Sequence, residues 1–201
     1  MKKNYENSLR EIIKEYNLKP KKKLGQNFLH DKNIISSIVN KANIEDEDII
    51  EIGPGPGILT ESILNNKARS LLAIEKDDSF EVNLKKIRSN YRDNFDYLIN
   101  DVIDFDFKKL TKKNYKFVSN LPYNISVPFI LKMIRIRKII PWKEMILMVQ
   151  KEVAERITAK INTKNYGRLS IMVNLNNDVK KLLNVKPSSF IPRPKVDSTV
   201  I

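Results

Sequence analysis

A doubly wound, mostly parallel α/β sheet is the fold class this sequence predicts. Three observations predict it: short apolar runs of strand character alternate with helix-like segments, a glycine-rich turn joins one such run to the helix after it, and carboxylates or amides recur at strand ends. Such alternation places helices on both faces of a parallel sheet and ligands at the carboxyl ends of its strands.

The elements follow in order. "DKNIISSIVNKANI" carries Ile34, Ile35, Ile38 and Val39 at helical spacing after Asp31, a suitable N-cap. "DIIEIG" reads as a buried strand, "ILTESILNN" as a helix, "LLAIE" as a strand, "SFEVNLKKIRSN" as a helix and "FDYLIN" as a strand. "YKFVSN" is the next strand, then "VPFILKMIRI" a helix, "EMILMVQ" a strand and "KEVAERITAKI" a helix. The last part is less regular: "GRLSIMVNLNN" reads as a helix, "VKKLLNVK" and "STVI" as strands, and the proline-containing "KPSSFIPRPK" as the most linker-like segment.

At 201 residues, 41% of them apolar, the chain can bury one substantial core. No run approaches the roughly 18 apolar residues of a membrane span, and the N-terminal segment lacks the apolar stretch of a signal peptide. Its glutamates also argue against a transit peptide, so a cytoplasmic protein is expected. The absence of cysteine removes disulfides, thiolate nucleophiles and sulfur-ligated metals. With His30 the single histidine, neither a histidine-based metal site nor a Ser-His-Asp triad is expected. The net charge of +13 suits a polyanionic partner, and the basic residues cluster in "KPKKK" (19–23), "KMIRIRK" (132–138) and around "RPK" (193–195).

The glycine-rich turn is "EIGPGPGILTE". Gly53, Gly55 and Gly57 allow positive φ and close approach of backbone to a ligand, but the third glycine comes one residue too early for the dinucleotide fingerprint. Glu51 ends the strand before the loop, where a pyrophosphate would be repelled and an ammonium or sulfonium welcomed. S-adenosylmethionine is therefore favoured over NAD. Glu75 closes "LLAIE" about 20 residues on, a position suited to both ribose hydroxyls. Asp101 follows "YLIN" and can accept from an adenine amino group. Singly, each acid is an ordinary strand-end charge; together they describe a nucleoside site.

"VSNLPYN" then places Asn120 at the end of the fourth strand, beside the expected position of the ligand's methyl group. An adenine amine is a poor nucleophile because its lone pair is delocalised into the ring. The Asn120 side-chain oxygen and the Leu121 carbonyl can accept its N–H groups, Tyr123 can stack on the base, and Pro122 stiffens the turn.

With these motifs in place, the chain resembles the small-subunit ribosomal RNA adenine dimethyltransferases, the KsgA family. The resemblance runs through "LGQNFLHD", "EIGPGPGILTE", "NLPYNIS", "MVQKEVAERI", "NYGRLS" and "SFIPRPKVDSTVI", nearly the whole chain beyond the first 20 residues. It implies a Rossmann-like S-adenosylmethionine-dependent methyltransferase fold. It also implies a monomer that dimethylates two adjacent adenosines near the 3′ end of small-subunit RNA, in free RNA or a precursor particle. By the same resemblance Asn27 and Leu29 border the methionine part of the cofactor, with Gly53 beneath it; Glu75 meets the ribose, Asp101 the adenine and Asn120 the methyl end. Phe190 is implied as a second aromatic wall for the flipped base. The expected organisation is a basic extension over residues 1–20 and a catalytic domain over 21–201, ending before the small helical domain the family carries. Two rivals remain: a macrolide-resistance type methyltransferase of large-subunit RNA, and a non-catalytic nucleic-acid-binding relative.

Overall fold

The computed structural model describes residues 9–110 and 114–201, without the Lys22 side chain. The start of the expected basic extension, residues 1–8, lies outside the described residues.

The elements, in order, are α1 (Leu9–Glu15), β1 (Phe28–Leu29), α2 (Lys32–Ala42), β2 (Asp48–Ile52), α3 (Ile58–Asn65), β3 (Ser70–Glu75), α4 (Glu81–Asn90) and β4 (Phe95–Ile99). They continue with β5 (Tyr115–Asn120), α5 (Ser126–Ile136), β6 (Trp142–Gln150), α6 (Lys151–Ile157), α7 (Arg168–Asn174), β7 (Leu183–Val185), β8 (Phe190–Ile191) and β9 (Ser198–Val200). A seven-stranded sheet runs in the order β4-β3-β2-β5-β6-β9-β7. Its first five strands are parallel, and β9 joins β6 and β7 antiparallel. This is the mostly parallel, doubly wound sheet expected from the alternation of segments.

Local chemistry explains the elements. Asp31 caps α2 by accepting the N–H groups of Asn33 and Ile34, and the helix ends at Asn43 in the left-handed region. Ile35, Ile38, Val39 and Ala42 form its buried face. β2 is buried along its whole length, as a central strand covered on both faces must be. On one face of the sheet Phe107, Phe117 and Phe129 pack ring against ring, with centroids 5.9–6.1 Å apart. Lys116, 3% exposed, donates from Nζ to the carbonyls of Ala42 and Asn43, so a buried ammonium ties the end of α2 to the start of β5.

Two expectations need correction. Residues 9–20 are no mere extension: Leu9 and Ile12 of α1, and Leu18 after it, are buried in the core, because their apolar spacing persists among the lysines. "KPSSFIPRPK" is no linker either. Phe190 and Ile191 form β8, which pairs antiparallel with β1 and so ties the N-terminal segment to the C-terminal one.

Candidate functional site

The strand order reverses between β2 and β5, since β3 and β4 lie to one side and β6 to the other. A crevice is expected at that point, beyond the carboxyl ends of the strands. Backbone pairing of β2 with β5 runs through Ile49↔Lys116 and Ile50↔Phe117. Beyond it the buried Ser119 hydroxyl accepts the Ile52 N–H at 2.8 Å, so a side chain takes over from the ladder where the crevice opens.

Asn27, Leu29, Glu51, Gly53, Gly55, Glu75, Asp101, Asn120, Leu121, Pro122 and Tyr123 all line one cavity there. The sequence places them on five separate stretches, and the fold brings them together. Phe190 is the exception. It stands opposite Leu29 in the β1–β8 pair, is 1% exposed and belongs to the core, outside the cavity lining.

The glycine loop is shaped for close approach. Gly53, Gly55 and Gly57 all have positive φ, and a Cβ on Gly53 would lie 3.1 Å from the Pro122 ring. Glu51 is buried beneath the loop and accepts from Thr60 Oγ1 at 2.6 Å. Burial raises its pKa to about 8; the Thr60 hydrogen bond works against this and the Glu75 charge adds to it. Glu75 accepts the Gly55 N–H on one oxygen (3.0 Å) and the Asp77 N–H on the other (2.8 Å). Burial raises its pKa despite those bonds. A carboxylate offers about four lone-pair sites, so acceptor capacity remains for hydroxyl groups. Asp101 accepts from Lys76 Nζ at 2.6 Å and from the Ile103 N–H at 2.9 Å. Burial opposes its ionisation, but the Lys76 ammonium and the Ile103 N–H outweigh burial and hold it below its ordinary value.

Asn120 donates from Nδ2 to the Asn27 carbonyl at 3.0 Å, which leaves Oδ1 for a ligand. The next peptide is anchored by the Leu121 N–H to Met148 O at 3.2 Å. Tyr123 gives ring surface to the cavity while its hydroxyl lies 2.6 Å from Ser198 Oγ. Gly25 passes so close to the turn that a Cβ there would meet the Tyr123 nitrogen at 3.2 Å.

Several supporting residues escape a reading of the sequence. Asp77 accepts from Lys21 Nζ (2.6 Å) and Gln26 Nε2 (2.8 Å), fastening the segment that carries Asn27 and Leu29. Its place two residues after Glu75 was the available signal. The basic clusters are also partly consumed internally. Lys21 is paired with Asp77, Lys132 donates to main-chain carbonyls, and Arg137 lies over the Trp142 ring, whereas Lys19, Lys23, Arg135, Lys138, Arg193 and Lys195 are exposed. Among the described residues no group of acidic and imidazole side chains could hold a metal ion, and no helix is long and apolar enough to cross a membrane.

The family model for ribosomal RNA adenine dimethylases matches residues 17–201. The chain is 44% identical over 195 residues to the ribosomal RNA small subunit methyltransferase A of Clostridium acetobutylicum, covering 96% of this chain and 69% of that protein. It is equally identical over 198 residues to the protein of the same name from Alkaliphilus oremlandii, covering 96% and 68%. Among solved structures, a dimethyladenosine transferase from Plasmodium falciparum superposes with a TM-score of 0.75 at 35% identity, covering 86% of this chain and 61% of that one. The 23S rRNA methyltransferase ErmE reaches 0.67 at 24% identity, covering 87% and 68%, which speaks for the fold alone. The chain thus spans about two thirds of the length of the curated relatives it matches, and it belongs to the ribosomal RNA adenine dimethylase family.

Proposed function

We propose that this chain transfers methyl groups from S-adenosylmethionine to the N6 amines of two adjacent adenosines near the 3′ end of small-subunit ribosomal RNA, giving N6,N6-dimethyladenosine. The observation that carries the proposal is the Asn120 amide, turned by the Asn27 carbonyl so that Oδ1 is left as an acceptor, in the same cavity as Glu51, Glu75 and Asp101.

The donor set suits the cofactor. Glu51 and the Asn27–Leu29 stretch would hold its methionine end, Glu75 its ribose and Asp101 its adenine. When bound, the cofactor supplies an electrophilic methyl group on a sulfonium. The chain's own part is alignment. Asn120 Oδ1 and the Leu121 carbonyl accept the N–H groups of the target amine, which turns its lone pair toward the methyl position; Tyr123 stacks on the base, and Pro122 keeps the turn stiff. The amine needs no strong base: its nitrogen takes the methyl as the carbon–sulfur bond breaks, the electron pair returns to sulfur so that S-adenosylhomocysteine would be the leaving group, and the amine's proton passes to solvent afterwards. A splayed-out base read by stacking and by its Watson-Crick edge fits this arrangement.

A large-subunit substrate is less well supported, because the relatives at 44% identity carry the small-subunit name. The non-catalytic alternative is disfavoured by a clamp and three acids that remain intact in one cavity. The proposed setting is the cytoplasm, with the chain acting as a monomer. The test is transfer of labelled methyl from S-adenosylmethionine to small-subunit and large-subunit RNA, followed by digestion to nucleosides. Label in N6,N6-dimethyladenosine from the small-subunit RNA is expected. Label confined to large-subunit RNA, or none with either, contradicts the proposal.

A further inference from the structure

Lys132 belongs to a basic stretch that looks suited to phosphate contact, yet its ammonium is turned inward. From α5 it donates to three main-chain carbonyls, those of Val102 (3.1 Å), Ile103 (2.6 Å) and Phe105 (2.7 Å). An ammonium has three N–H groups, so all its donors are spent. The same Nζ lies 5.2 Å from the centre of the Phe107 ring. Nothing remains for an RNA phosphate.

The carbonyls belong to one turn. The N–H groups of Asp104 and Phe105 return to the Asp101 carbonyl at 3.0 and 2.9 Å, and the Ile103 N–H reaches the Asp101 carboxylate. The turn therefore presents carbonyls on one side, and a single cation gathers three of them. At its start Asp101 and Val102 line the cavity at its adenine end. The helix holding the cation begins just past the Asn120–Asn124 turn and is fastened to it, through Ser126 Oγ to Pro122 O (3.1 Å) and Ile125 N to Pro122 O (3.1 Å). One ammonium thus fixes the two sides of the cavity relative to each other.

We infer that Lys132 is a positioning residue for the adenosine end of the cofactor site, acting as a built-in cation that sets the turn carrying Asp101 and Val102. The inference rests on the cofactor reading above. Removing the ammonium leaves three carbonyls converging without a donor, and their mutual repulsion opens the turn. Asp101 and Val102 then lose their alignment with the adenine, whereas the methionine end, held from the glycine loop and Asn27, keeps its contacts.

The test is calorimetric binding of S-adenosylhomocysteine and of 5′-methylthioadenosine, which share the adenosine, to the parent and to Lys132→Met, with melting temperatures alongside. Both ligands are expected to weaken by the same factor, roughly tenfold or more. At saturating cofactor kcat is expected to hold within about threefold while KM for the cofactor rises. Unchanged affinities in folded Lys132→Met overturn the inference and leave the cofactor reading standing. Failure of the parent to bind S-adenosylhomocysteine overturns the cofactor reading, and this inference with it. If Lys132→Met does not fold, Lys132→Gln, which is shorter, carries no charge and cannot serve three carbonyls, decides the matter: weaker binding of both ligands supports the role, and parent-like binding of both overturns it.

Discussion

Asn120 and Asn27 meet across 93 residues of sequence through one hydrogen bond, Nδ2 to main-chain carbonyl, at 3.0 Å. That bond settles which end of the amide is left for a ligand. It also couples the Asn120–Asn124 turn to the N-terminal wall, so that on the proposed reading the acceptor for the target amine is in place before any substrate arrives.

The N-terminal wall depends in turn on Asp77. Its side chain is fully buried, with Lys21 and Gln26 each on one oxygen. Asp77→Ala should free the segment while leaving the sheet folded. The expected result is S-adenosylhomocysteine binding weaker by about tenfold, from lost charge-assisted hydrogen bonds of roughly 1.5–3 kcal/mol each that only partly reach the ligand. Calorimetry checks the affinity, and limited proteolysis within residues 21–27 checks the loosening.

Glu51 should make cofactor binding pH-dependent. Its pKa in the folded protein is about 8, raised from 4.5 by burial first, so at neutral pH the folded state holds a proton that the unfolded chain has released. This contribution to stability is fully present below 4.5 and is lost as pH rises to about 8. A cationic ligand beside Glu51 favours the carboxylate, so binding near pH 7 should release protons and tighten as pH rises toward 8. Calorimetry with S-adenosylmethionine in buffers of different ionisation enthalpy measures the release, and Glu51→Gln should largely abolish it.

Tyr123 separates stacking from support. Tyr123→Phe keeps the ring but takes the partner from the buried Ser198 hydroxyl, 2.6 Å away, a loss of about 0.5–1.5 kcal/mol. In a chain of this size that lowers the melting temperature by roughly 2–5 °C. Turnover should stay within a few-fold of the parent, while Tyr123→Ala should lose far more because the base has no face to stack on. Melting curves and rates on small-subunit RNA test both.

RNA affinity should fall with salt, since contacts with phosphates release counterions. Exposed Lys19, Lys23, Arg193 and Lys195 should each contribute to the slope, whereas Lys132→Met should leave it unchanged, because its donors are spent within the protein. Salt titrations of RNA binding for these variants distinguish the two groups.

Much of this was legible in the sequence. Runs such as "DIIEIG" and "YKFVSN" carry their strand character locally, and strand ends mark a ligand site once alternation predicts a parallel sheet. What stayed hidden depends on distant pairing. The two-residue β1 and β8 strands are too short to announce themselves, so Phe190 looked like loop rather than core. A lysine in a helix reads as solvated until the carbonyls of another loop are seen around it, as with Lys132. Leu9 and Ile12 were masked by neighbouring charges. The acids at the site were visible as residues, but their partners, Thr60, Gly55 and Lys76, follow only from the fold.

The central claim is that Asn120 holds the amine that receives the methyl group. The most direct measurement is the single-turnover rate of methyl transfer to small-subunit RNA by the parent and Asn120→Ala, both saturated in S-adenosylmethionine and RNA, read beside their melting temperatures and cofactor affinities. The clamp predicts a folded, cofactor-binding variant slowed by about 10²-fold or more. A folded Asn120→Ala that transfers methyl at the parental rate would contradict it.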